Sequence, residues 1–429
     1  MSSNTVYISE KSDAAKKATE YVYERLFIFT IFGGFFGFHH TRWWSMFTYT
    51  VFTLYYISVI SMIVTMSYSS FLNQSNTSVM SGCLHMTITG LVVSCASITL
   101  QLARKDLFKL LVNFVLDENL CEYQSNEYFS HLLKKADEKL RSLLILWLLL
   151  YGSAASIAVV FPFVDVYLGY ELTLNNVTNV YWRGLPFTLW WPMDADNSTF
   201  AWMTCFTSQG LYAMFAASLC TGCMVFYAMM CENIFNHIKL LVFSLEHLDE
   251  RATLMFKKLY PGKSPKKMRD LYDECYYACI VQNVKHHHRI VIFKDAVMKA
   301  ANLPIAMPFF GGALLLGLAG INLLSHDDNR IAPKVFFSCL GMTEAGQMFL
   351  LCKYGERYQD LSEVLFNASF YTSCFRRSMK CRRAMMIFRL GVSKPMRMTA
   401  AKIILLNMET FANLVNSAYS IFNLQSVTS

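Results

Sequence analysis

Side chains able to do chemistry gather in four places along the chain. Cys220 and Cys223 form a C-x-x-C, the spacing of a redox pair or of half a zinc site. They lie inside an apolar stretch with no second pair, and the other cysteines follow no regular spacing, so ordinary packing is expected of them. His286-His287-His288 suggests a metal, but consecutive helical residues point about 100° apart and do not converge on one ion. A solvated face is expected there. Glu344 shares an apolar stretch with Lys334 and Gln347, where an acid is either a proton relay or a partnered contact between helices. The partnered contact is the expectation. HExxH, GxSxG, a Gly-rich phosphate loop and paired catalytic carboxylates do not occur, so neither enzymatic activity nor a cofactor or metal is expected.

The fourth place is the end of the chain. A polar series runs Lys402, Glu409, Asn413, Asn416, Ser420, Asn423, and from Glu409 it follows the i, i+4, i+7 spacing of one helix face. Ile404, Met408, Phe411, Leu414, Val415, Ala418 and Phe422 occupy the other faces, while Asn407, Thr410 and Ser417 fall off the stripe. An unpartnered polar group in hydrocarbon costs a few kcal/mol. The stripe must therefore face protein or water. It lines a pore together with copies from other subunits, or it is a seam buried within one protomer. Amides and hydroxyls with a single acid suit cations with little discrimination.

The elements that position these groups follow from composition. Apolar residues make up 54% and charged residues 16%, against roughly 25% charged in soluble domains. Such a chain needs lipid as solvent for much of its surface. Seven stretches approach the ~20 apolar residues of a membrane span: Trp43–Ser69, Met80–Leu102, Leu143–Phe163, Phe200–Met230, Ala300–Leu324, Ile331–Leu351 and Met398–Leu424. Pro304 and Pro308 would kink the fifth. Leu26–Phe38 is apolar but short and glycine-rich, as in a re-entrant or interfacial helix. The fold class is an all-α, polytopic membrane protein with seven transmembrane helices.

Lys and Arg fall in blocks between the spans rather than on one patch, which argues against a nucleic-acid partner. The N-terminal segment and the loops after spans two, four and six are rich in them, and the intervening loops hold only Arg183, Arg330 and Lys334. The positive-inside rule makes the N-terminus cytoplasmic and Gln425–Ser429 extracellular. Met1–Lys17 is polar, so no cleavable signal peptide is expected. Four N-x-S/T sequons, at Asn73, Asn76, Asn176 and Asn197, lie in the loops poor in Lys and Arg and are candidate glycosylation sites. A fifth, Asn367, lies on the cytoplasmic side and should be unused. This topology is the reverse of a G-protein-coupled receptor, and that class's D/E-R-Y and N-P-x-x-Y are missing. The expected organisation is a cytoplasmic segment over 1–42, helices one to four over 43–230, a cytoplasmic helical extension over 231–299, helices five and six over 300–351, a cytoplasmic anchor helix over 352–397, and helix seven with its tail over 398–429.

Two stretches resemble the insect odorant receptor family. In the first, Gln347 precedes Phe349-Leu350-Leu351-Cys352-Lys353-Tyr354-Gly355-Glu356, similar to the family's aromatic run into Cys-x-x-Gly-Glu, with Ser362 and Tyr371 beyond. The second is Lys394-Pro395, Thr399-Ala400-Ala401 and Phe411, ending Ser417-Ala418-Tyr419-Ser420-Ile421-Phe422-Asn423-Leu424, similar to the family's terminal Tyr-Ser-x-Phe-x-x-Leu. Phe375 stands where the family commonly has Trp. Ala418-Tyr419-Ser420 fits the odorant branch better than the gustatory one, and the chain resembles a ligand-specific subunit rather than the longer shared co-receptor.

The resemblance implies an odorant-gated, non-selective cation channel, a hetero-tetramer with the co-receptor in the plasma membrane of olfactory neuron dendrites. It implies that subunits meet through the cytoplasmic ends of spans four to seven, a role offered to Ile238, Leu241, Val242, Leu245 and Leu248. It implies an odorant pocket among the outer halves of spans two, three, four and six, with Met80, Cys83, Leu84, Thr87, Gly152, Ser153, Ser156, Val160, Phe206, Gln209, Phe337 and Leu340 as candidates. The last span would line the pore through Glu409, Asn413, Asn416, Ser420 and Asn423, with Asn423, Leu424 and Gln425 at the constriction. A gustatory-type channel, a secondary transporter (no inverted repeat is visible) and a metabotropic receptor are the rival readings.

Overall fold

The computed structural model describes residues 42–116, 125–170, 180–324 and 330–428. Long helices dominate: α1 (Arg42–Leu72), α2 (Thr77–Leu116), α3 (Ser125–Tyr167), α4 (Thr199–Glu246), α5 (Leu248–Leu259), α6 (Arg269–Leu324), α7 (Ile331–Ala368), α8 (Met379–Val392) and α9 (Met408–Thr428). Six of them, α1 to α4, α6 and α7, are long and apolar enough to cross a membrane. At 21 residues α9 is about 31 Å long, enough to span, but its polar stripe lowers its apolarity. Leu26–Phe38 and Asn176 lie outside the described residues.

Helices start where polar side chains satisfy the free N–H groups of the first turn. Asn76 Oδ1 accepts from Val79 N (3.1 Å) at α2, and Ser198 Oγ accepts from Ala201 N (3.3 Å) at α4. The cap of α7 comes from another helix: the Asp165 carboxylate of α3 accepts from Ile331 N (2.8 Å) and Ala332 N (3.0 Å). Pro304 and Pro308 sit within the unbroken helix α6.

At 48 and 56 residues, α4 and α6 are about 72 and 84 Å long, far beyond the ~30 Å hydrocarbon core. Their excess projects at one end of the bundle, where α5 and α8 both pack on α6. The anchor expected from sequence lies at this end, called the anchor end below. The opposite end carries a small hairpin, β1 (Val180–Tyr181) with β2 (Leu189–Trp190).

Two expectations change. Ile238, Leu241, Leu245 and Leu248 are 0–1% exposed within the protomer, so they form its own core and are not available to a neighbouring subunit. Residues 398–407 are not helical. They form a second hairpin, β3 (Thr399–Ala400) with β4 (Ile404–Leu405). Its turn places Ala401 (φ 51°) and Lys402 (φ 61°) in the left-handed region and closes with Ile403 N donating to Ala400 O (3.1 Å). Lys402 is thus off the terminal helix, and α9 starts ten residues later than the apolar pattern indicates. Asn407 Oδ1 accepts from Thr410 N (2.8 Å) there, the N-cap that stops the helix from beginning sooner. The glycine of the Tyr354-Gly355-Glu356 run is explained by this hairpin: a Cβ at Gly355 would collide with the backbone oxygen of Leu406.

Candidate functional site

Inside the bundle lies a cavity of about 100 Å³. Its wall is mostly apolar, including Val93 of α2, Cys220 and Cys223 of α4, Pro304 of α6 and Leu340 of α7. Polar groups come from four helices: Thr89 of α2, Tyr151 of α3, Tyr227 of α4, and Glu344 and Gln347 of α7. Tyr151 OH donates to Gln347 Oε1 (2.7 Å), and His85 Nε2 lies 2.9 Å from Glu344 Oε1. Glu344 is therefore the partnered interhelical contact expected from sequence. Apolar walls with a few converging polar groups are what a small, mainly apolar ligand requires.

A second cavity, about 50 Å³, lies nearer the β1–β2 end, lined by Ser78, Cys83, Asp165, Trp182, Arg330 and Phe337 among others. Arg330 Nη1 donates to Thr188 Oγ1 (3.0 Å), and its guanidinium lies 5.4 Å from the Trp182 ring centroid. Phe337 lines this upper cavity and its ring is 5.3 Å from that of His85, so these two rings stand between the chambers.

The residues proposed from sequence for the odorant pocket scatter over this arrangement. Cys83 and Phe337 line the upper cavity and Leu340 the lower. Gly152, Ser156 and Val160 line a groove of about 320 Å³ on the outer surface of the α3–α4 seam, where Val160 is 56% exposed. Ser153 is exposed, its Oγ donating to Leu150 O (2.9 Å). Gln209 is fully buried and structural, accepting from Phe187 N (2.7 Å) and so tying α4 to the hairpin segment. Phe206 stacks on Trp202 at 5.1 Å. Met80, Leu84 and Thr87 line neither cavity. The outward placement of Gly152, Ser153, Ser156 and Val160 follows from helix rotation, which decides which face looks inward, and the second half of α3 is apolar nearly all round. Thr89, Tyr151 and Gln347 were missed. Gln347, three residues after Glu344 on the same face, was the available signal.

The terminal stripe is clearer. Glu409, Asn413, Asn416 and Ser420 are exposed on the protomer and Asn423 is half-buried. Leu414 and Ala418, on the opposite side of α9, are 7% exposed. Leu414, Ile421 and Phe422 meet α6 where it carries Gly312, Gly317 and Gly320. The stripe is not a seam buried within the protomer. The side chains of Leu424 and Gln425 are outside the described ones.

Among the sequons, Asn197 is exposed, and its Nδ2 donates to Asp194 Oδ2 (2.8 Å). That bond, with the backbone N–H of Asn197, holds the Asp194 carboxyl below its usual range. Asn76 is half-buried at its cap. Asn73 is 2% exposed with Nδ2 donating to Ser69 O (2.8 Å), which leaves no room for a glycan on that nitrogen in this conformation. Cys220 and Cys223 are free thiols. His286 is not solvated: it is 2% exposed, with Nε2 3.0 Å from His237 Nδ1. Among the described residues, no group of three or more His, Cys, Asp or Glu is placed to hold a metal.

The profile of the 7tm odorant receptor family matches residues 76–419, well over half of the chain. The chain belongs to that family. Odorant receptor 2a of Drosophila melanogaster is 22% identical over 153 residues, 34% of this chain and 38% of the relative. Odorant receptor 85b of the same fly is 22% identical over 145 residues, 34% and 37% of the two chains. These matches span about two fifths of the curated relatives' lengths. Among solved structures, the insect olfactory receptor OR5 of Machilis hrabei in complex with eugenol superposes with a TM-score of 0.71 at 12% identity, covering 98% of this chain and 100% of that one. Another structure of the same receptor gives 0.69 at 14% identity over 90% of each chain. The odorant receptor has the all-α, polytopic architecture expected from its sequence.

Proposed function

We propose that this odorant receptor is a ligand-binding subunit of a non-selective cation channel, assembled with a shared co-receptor in the plasma membrane of olfactory neurons. The observation that carries this reading is the exposure of Glu409, Asn413, Asn416 and Ser420 on the side of α9 opposite its contact with α6. A polar face turned away from its own protomer in a membrane has to meet water or other subunits, and a ring of such helices is a water-filled path. The anchor end supports assembly: Met386, Ile387 and Leu390 on α8 are 67–75% exposed, a projecting apolar face suited to burial between subunits. These replace the core residues Ile238 to Leu248 as the interface.

The odorant sits in the central cavity rather than among the outward residues, held mainly by apolar contact. Its binding draws the far ends of the α9 helices apart, with Asn423, Leu424 and Gln425 at the constriction, and lets Na⁺, K⁺ and Ca²⁺ pass. Asn197 is the best-placed glycosylation site. Patch-clamp recording across an odorant panel, with G-protein signalling blocked and the co-receptor present or absent, tests this. Odorant-evoked cation currents are expected; no current under any pairing defeats the channel reading. Cysteines at Asn416 and Asn423 should react with aqueous thiol reagents.

A further inference from the structure

Glu344 is engaged on one side only. Its Oε1 meets His85 Nε2 at 2.9 Å, while Oε2 is buried without a hydrogen-bond partner, and the residue, 7% exposed, lines the central cavity. Thr89 Oγ1, buried and unpartnered on the same cavity wall, lies one helical turn beyond His85. With one proton shared along the Oε1–Nε2 line, on whichever of His85 and Glu344, none remains on Oε2. Oε2 therefore carries lone pairs and no hydrogen, and what it lacks is a donor. The rest of the wall is mostly apolar, and its two tyrosine hydroxyls are already spent, Tyr151 OH on Gln347 Oε1 and Tyr227 OH on Met398 Sδ.

We infer that the cavity selects alcohols: apolar molecules with one hydroxyl, whose O–H donates to Glu344 Oε2 while Thr89 Oγ1 supplies a return donor. This rests on the central cavity being the odorant site. Esters, ethers and ketones only accept and leave Oε2 unmet, and a buried polar group left unpaired discriminates more strongly than a missing methylene. An alkylammonium carries a charge whose desolvation in this wall is costly. The size follows too. At roughly 10–15 Å³ per water-sized group, a cavity of about 100 Å³ holds a molecule of roughly seven to ten heavy atoms.

The test uses the full chain in lipid nanodiscs and competition against radiolabelled octanol. Octanol should bind about tenfold or more tighter than its methyl ether, the matched alkane or octylamine. Glu344→Gln should collapse the alcohol-to-ether ratio to near one while leaving ether binding in place, and Thr89→Val should lower it part-way. Equal affinity for alcohol and ether, tighter binding of the amine, or an unchanged ratio in Glu344→Gln overturns the assignment. The ligand series on the unaltered chain decides the matter even if Glu344→Gln does not fold. Currents separate the two readings: selective alcohol binding without current sinks the channel alone, whereas currents evoked equally by alcohol and ether sink the alcohol selectivity alone.

Discussion

Two buried glutamates, one at the anchor end and one at mid-bundle, are treated differently by the fold. Glu232 of α4, 3% exposed, is met by Lys139 of α3, by Tyr354 OH (3.1 Å) and by Arg357 Nη1 (2.7 Å) of α7. Glu344, 7% exposed, has His85 and an idle oxygen. A buried acid whose Oε1 is met by two cations and a hydroxyl is a clamp between helices, because removing it strands charges. Glu344 Oε2, on a cavity wall, is buried without a partner. One glutamate is pinned by charge; the other keeps an unmet oxygen.

That contrast can be broken by substitution. Glu232→Ala should cost most, about 3 kcal/mol, tempered by the partial exposure of Lys139 and Arg357; thermal unfolding of the solubilised protein measures it. A loss no larger than that of Glu344→Gln would erase the distinction. Gly355→Ala should cost about 2 kcal/mol, since its Cβ meets the backbone oxygen of Leu406, whereas Gly312→Ala should cost less, since it meets the flexible tip of Met348. Glu344→Gln should cost about 1 kcal/mol of stability yet change ligand ranking. Smallest is a gain: Lys402→Gly, relieving a left-handed backbone, should raise stability by about 0.5–1 kcal/mol in the same melt.

Much of this was legible in the sequence, unevenly. Span positions follow from long apolar runs, and the α9 stripe from a spacing only a helix produces. The start of α9 was not legible, because Met398 to Leu406 is apolar enough to extend a helix and only the hairpin's fit against Gly355 reveals otherwise. Cavity residues were the least legible. A helix such as α3 carries no polar stripe to fix its rotation, so Tyr151 and Ser153, two residues apart, could not be sorted into inside and outside. Glu344 and Gln347 announced themselves by polarity in an apolar run, but not that one oxygen would lack a partner.

The second hairpin fixes one end of α9. Leu406 N donates to Met398 O (3.0 Å), Thr410 Oγ1 donates to Leu405 O (2.7 Å), and Leu406 is wedged over Gly355. The helix is thus a lever with a clamped fulcrum. Over its length of about 31 Å, a tilt of about 5° at the base would swing the far end by roughly 3 Å, so a slight angular nudge from the neighbouring α6 or α7 is magnified there.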